Sequence, residues 1–303
     1  MGWLFYAFIA VQFFTISSFT DKHIVSNVVK DYTGLPVYSS IIALVLGTVF
    51  WLAAGFPILS ILDMLLLIFA GALNIWTAFS YYEILTDTDV SLIMFLFQSQ
   101  PVFILILSII FLHQFLPPVQ LLGFAIIIIS VMFIALSSSS GSSTVKKKLN
   151  KKQVLLALLI TFGWAVNSVL INYVLTKNVY VKTISFESWG MAVGGITVIL
   201  FSKKVRKAFV KSFDEFNPKL IVTFVANDGI FTIGKLFGMY ANSLGPVALI
   251  SAVGSTQTLF GTIYGFLLTK FLPSKFREDI SHKGLLKKFF AAILIGVGIY
   301  LIS

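Results

Sequence analysis

The sequence predicts an all-α membrane protein, ten transmembrane helices in two inverted five-helix repeats. Three observations lead there. First, 58% of the 303 residues are hydrophobic and 11% are charged, against ~25% charged in an average soluble domain. The apolar residues gather into ten runs of bilayer length. Second, a serine-, glycine- and lysine-rich stretch at 137–151 splits those runs five and five. Third, the fourth run lies on the ninth. With Gln100 placed on Gln257, Val90, Leu92, Ile93, Phe103 and Ile106 fall on Val247, Leu249, Ile250, Phe260 and Ile263. An odd number of spans per half turns the second half over relative to the first.

The first repeat, 1–136, holds runs at 2–20, 35–56, 62–84, 89–112 and 117–136; the second, 152–303, holds them at 152–175, 184–202, 220–243, 246–270 and 285–302. Each has the ~17–25 residues that a bilayer crossing needs. Run 2–20 has no basic segment before it and no small-residue cleavage site, so it reads as a retained span and not a signal peptide. The linker between the repeats is flexible by composition. Trp3 and Trp51, near span ends, read as interface anchors. Inverted repeats of this kind are a transporter architecture with the substrate near the midplane.

Several chemistries have no residues to carry them. Cysteine is absent, which leaves no disulfide and no thiolate site. His23, His113 and His282 sit at span ends or in links with no carboxylate at metal spacing, so no metal and no cofactor is expected. No GxxxxGK[ST] loop is present, so ATP is not expected to power the protein directly. The net charge of +10 comes from lysines in short links, where they read as topology signals and contacts to anionic lipid headgroups, not as a nucleic-acid surface. Lys146, Lys147, Lys148, Lys151, Lys152 and the basic 203–211 segment lie in odd-numbered links, while even-numbered links hold only Lys177 and Lys182. The bias places odd links in the cytoplasm and both termini outside.

The eighth run breaks the apolar pattern. Asn227, Asp228 and Lys235 lie inside it, and a charge in hydrocarbon costs about 2.5–3.5 kcal/mol on insertion scales. Asp228 and Lys235 are two turns apart, about 10 Å along one helix face. The expectation is a pair facing a protein-lined cavity, with a local helix break at Asn-Asp-Gly. The bland alternative is a static ion pair serving packing alone.

Ordered short motifs point to a family. They are Pro101-Val102 in the fourth span, Leu112–Leu116 as a turn, and Gly123 opening the fifth; then Ser243–Ser251, Gln257, Glu278–Ser281 and Ile295–Ile299. In this order the chain resembles the EamA-type members of the drug/metabolite transporter superfamily over nearly its whole length. Departures are Gln114, where the family has glutamate, Thr258, where it has proline, and Asn172 as repeat mate of Lys22. The resemblance implies that spans 1, 3, 4, 6, 8 and 9 line a central cavity. On those spans lie the expected substrate-binding residues: Asp228, Lys235, Asn227, Trp76, Asn74, Trp164, Asn167, Gln100, Gln257 and Tyr240. Asp228 and Glu187 are the proton-coupling candidates. The resemblance also implies termini inside, against the charge bias.

The expected function is a secondary active transporter and not an enzyme. It would export a small polar or zwitterionic metabolite, or a drug-like cation, by alternating access with possible proton coupling. The expected setting is a prokaryotic cytoplasmic membrane, as a monomer or homodimer. The alternatives are a membrane enzyme on lipid-linked substrates, for which Glu83, Asp87 and Asp89 form the nearest carboxylate cluster, and a non-transporting scaffold.

Overall fold

The computed structural model describes residues 2–27, 32–87, 96–138, 151–214, 218–271 and 282–303. Residues 139–150 of the central linker, 88–95 with Asp89, and Glu278–Ser281 lie outside the described residues, so the matched positions Val90, Leu92 and Ile93 do too. The described chain is helical throughout, with no strand. It runs α1 (Gly2–Asn27), a 3₁₀ turn (Tyr32–Gly34), α2 (Leu35–Ala53), α3 (Ile61–Asp87), α4 (Ser99–Leu112), α5 (Pro118–Ser138), α6 (Lys151–Leu175), α7 (Tyr180–Phe201), α8 (Lys203–Asp214), α9 (Pro218–Leu244), α10 (Val247–Ser255), α11 (Gln257–Phe271) and α12 (His282–Ile302). Eight of the described helical segments are long and apolar enough to cross a membrane, and the shorter apolar helices Ser99–Leu112 and Phe289–Ile302 sit where the fourth and tenth spans are expected.

The polarity is that of a membrane protein. Ile129 is 66% exposed and Val49 51%, while Gln98 is 5% and Asn227 2%. Large apolar side chains cover the outside and amides point in, the arrangement lipid requires. The largest core joins Trp3, Ala7 and Val11 of α1 to Ile104 of α4, Ile127 and Val131 of α5, Leu249 and Val253 of α10, and Ala291 and Ile295 of α12. Trp3 is thus a core residue, 9% exposed, and not an interface anchor. Gly245 leaves the space it fills, with its Cβ position only 2.7 Å from the Trp3 ring.

Helices from the two halves pack in pairs: α1 on α9, α6 on α3, α2 on α7, and α5 on α12. Without a hydrophobic drive between helices in lipid, such pairs rely on small residues that let backbones approach. α3 and α7 show this. A Cβ on Gly71 would lie 2.0 Å from the Glu187 carbonyl oxygen, and one on Gly190 would lie 2.4 Å from the Ile68 carbonyl oxygen. Gly71→Val is therefore expected to cost well over the ~1–3 kcal/mol of ordinary overpacking. Gly296→Val, where nothing lies within 4 Å, is the control. Size-exclusion chromatography in detergent should show loss of the folded peak for the first substitution only.

Two helix breaks fall within one residue of each other across the halves, Gln98 lying on Ser255 when Gln100 is placed on Gln257. Helix at 96–97 is interrupted at Gln98 (φ −67°, ψ −6°) before α4, and α10 ends at Thr256 (φ −64°, ψ −9°) before α11. Gln98 Nε2 donates to Thr258 Oγ1 at 3.3 Å, tying the two interrupted spans together.

The expected boundaries shift in places. α9 runs unbroken through Asn227-Asp228-Gly229, because Asn227 and Asp228 find partners on other helices and tertiary contacts outweigh weak helix propensity. The seventh span begins at Tyr180, ahead of 184. The segment read as a link after it forms α8, basic and amphipathic, with Lys203, Lys204, Arg206 and Lys207 exposed and Val205 buried. At the opposite end, Gln114 Nε2 donates to Asn172 Oδ1 (3.1 Å), its Oε1 accepts from the Val247 amide (3.2 Å), and Asn172 Nδ2 donates to the Asn242 carbonyl (3.1 Å). Gln114 can do this because an amide supplies a donor and an acceptor together.

Candidate functional site

A cavity of about 650 Å³ lies at the crossing of the two halves, within the size range of small-molecule sites. Residues of α1 to α7 and α9 to α11 wall it, α5 through Ala135 alone. Its polar groups fall into two zones along α9.

The zone nearer α8 is acidic. α1 continues past the expected end of the first span and carries Asp21 onto the wall. Asn227 Nδ2 donates to Asp21 Oδ1 at 2.8 Å. The next residue, Asp228, accepts from Ser39 Oγ of α2 at 3.3 Å. Asn227 Oδ1 is buried and has no hydrogen-bond partner among the described residues. Tyr81 and Tyr82 stand beside this zone, their rings 5.4 Å apart. Tyr81 also meets Trp164 at 5.6 Å and Phe97 at 5.8 Å.

The second zone is two turns further along α9. Lys235 Nζ is ion-paired with Glu187 Oε2 of α7 and touches Met191 Sδ at 3.5 Å. Glu187 is fully buried. The alternative of a static Asp228–Lys235 ion pair does not form: both residues line the cavity, and Lys235 takes its carboxylate from another helix. Glu187 meets Lys235 from α7, a helix that sequence spacing along α9 does not reach.

Of the expected site residues, Asp228, Lys235, Asn227, Asn74, Trp164, Asn167, Gln100 and Gln257 line the cavity. Two of these also brace helices. Asn167 Nδ2 donates to the Ala70 carbonyl at 2.7 Å, and Gln257 Nε2 donates to Ser18 Oγ at 2.8 Å and the Phe14 carbonyl at 3.1 Å. Trp76 and Tyr240 are not on the wall. Trp76 is 39% exposed and donates to Thr197 Oγ1 at 2.9 Å. It is two residues from the inward Asn74, so it points away at ~100° per residue. Tyr240 packs edge-on against Tyr6 at 4.5 Å and Tyr180 at 5.2 Å. Asp21 and Ser39 were missed. The signal for Asp21 was a carboxylate directly after an apolar run, hidden by ending the span one residue early.

A protein known from a crystal structure aligns over 100% of this chain and 97% of its own, with a TM-score of 0.68 and 16% identity; that likeness is one of fold. In all, 25 solved chains match. None of the curated proteins compared matches. The model of the EamA-like transporter family matches residues 1–136, which are the first five expected spans. On this multi-pass helical membrane fold, the first half of the chain carries the sequence pattern of the EamA-like transporter family, part of the drug/metabolite transporter superfamily.

Proposed function

We propose that the chain is a secondary transporter that moves a small polar molecule outward by alternating access, with the central cavity as its substrate site. The observation that carries this reading is the cavity itself. It is walled by polar side chains from both halves of a chain whose outside is apolar. A static scaffold has no need to hold carboxylates, amides and a lysine around an open space in the membrane interior.

The inverted five-helix repeat belongs to the same proposal. If span n corresponds to span n+5, the α1–α9 pair corresponds to α6–α3, and both pairs pack closely. The breaks at Gln98 and Thr256, within one residue of each other across the halves, also support it. One correspondence is unequal. α3 packs along α7, while its counterpart α9 scarcely touches α2. An exchange of those two contacts would open the cavity to one side and close it to the other. Of the two coupling candidates, Asp228 is the better placed, since Glu187 already neutralises Lys235.

The test is flux in proteoliposomes loaded in turn with labelled amines, amino acids, sugars and nucleosides, with and without a pH gradient. Saturable efflux of one class over protein-free liposomes is the expected result. No saturable flux for any class would contradict transport.

A further inference from the structure

Taking the cavity as the substrate site, as proposed above, we infer that the substrate carries a protonated amine and that the amine docks among Asp21, Asn227 and Asp228. The charges on the wall decide this. The described charged residues lining the cavity are Asp21, Asp228 and Lys235. Lys235 is held by Glu187, so its charge is already balanced. Neither Asp21 nor Asp228 has a salt bridge among the described residues. Among the described residues the acidic zone therefore lacks a positive partner, and carboxylates taken out of bulk water call for one.

The hydrogen-bond inventory gives the same answer independently. Asn227 is turned so that its amide nitrogen donates to Asp21. That leaves Asn227 Oδ1, buried on the cavity wall, as an acceptor with no donor among the described residues. The carboxylates add further acceptors, and the Ser39 hydroxyl already donates to Asp228. A site of acceptors matches a group that only donates, and an ammonium carries three N–H donors and no acceptor. The neighbouring rings of Tyr81, Phe97 and Trp164 offer faces and edges to the organic body of such a cation.

A zwitterion bridging Asp228 and Lys235 fits less well. Its carboxylate would have to take Lys235 from Glu187 and leave a fully buried carboxylate unpaired. An inorganic cation could use the same oxygens, but it would leave the aromatic wall without a role.

The test uses the full chain in nanodiscs at pH 7 and four probes with one phenyl body. They are 2-phenylethylamine (cation), phenylalanine (zwitterion), 3-phenylpropionate (anion) and 2-phenylethanol (neutral). Calorimetry should rank the amine first by about tenfold or more, the scale of one charge-assisted hydrogen bond. Asp21→Asn and Asp228→Asn should each remove most of that preference. Should either variant fail to fold, Asp228→Glu, which keeps the charge, should retain the amine preference, and the wild-type ranking still stands as a test. Equal or tighter binding of the zwitterion or the anion overturns the amine and leaves the cavity as the site. Amine binding untouched by both asparagine substitutions overturns the location. Calcium binding at these residues in preference to the amine, or binding by none of the four probes, overturns the substrate class. The flux panel then decides separately whether the chain transports anything.

Discussion

Glu187→Gln or Lys235→Met alone should collapse the yield of folded protein, and the two together should restore much of it. Glu187 is 0% exposed and the Lys235 side chain 12%. Each balances the other where water is scarce. Removing one partner leaves a buried charge uncompensated, at about 3–5 kcal/mol, a large share of the ~5–15 kcal/mol that separates folded from unfolded chains. Replacing both with uncharged side chains of similar size removes the charge altogether, and such replacements are often neutral or stabilising. Monodisperse yield in detergent and the thermal midpoint read the effect. Single variants as stable as the wild type would show that the pair is not structural, and Lys235 would again be a candidate to meet a substrate carboxylate.

This result bears on what the sequence could reveal. A lysine two turns from an aspartate invites a same-helix pair, because spacing along one helix is legible in a linear chain. The partner it actually takes, Glu187, lies on α7, and which helices meet across the fold is set by close approaches such as glycines meeting backbone between α3 and α7. Gly71, Gly190 and Gly194 carry no pattern that names their partners. The same limit explains Trp76. Its span was correctly expected to line the cavity, but one helix has both an inner and an outer face, and aromatic residues sit on either.

The polar set on spans 4, 6 and 9 was legible for a different reason. Hydrocarbon tolerates few amides, so Gln100, Asn167 and Gln257 marked an interior before any contact was known. Helix ends were less legible. Asp21 fell just beyond a hydropathy boundary, yet α1 continues to Asn27 and brings it onto the wall. Hydropathy reports where lipid would be, not where a helix stops. α8 escaped for a related reason, since a basic amphipathic segment after a span reads equally as a loop rich in topology signals.

If a substrate passes through the cavity, a plug placed in it should stop the flux. Gly254 of α10 and Gly261 of α11 line the cavity, and a Cβ at either meets nothing within 4 Å. A large side chain there enters open space. Neither glycine sits in the left-handed φ region that a side chain would strain, so folding should not suffer. Gly254→Trp should therefore elute and melt as the wild type does. Saturable flux of whichever class the proteoliposome panel identifies should fall at least about tenfold, equivalent to losing about 1.4 kcal/mol of binding. A folded Gly254→Trp protein with undiminished flux would contradict the account, because the molecule would then cross by a route other than this cavity.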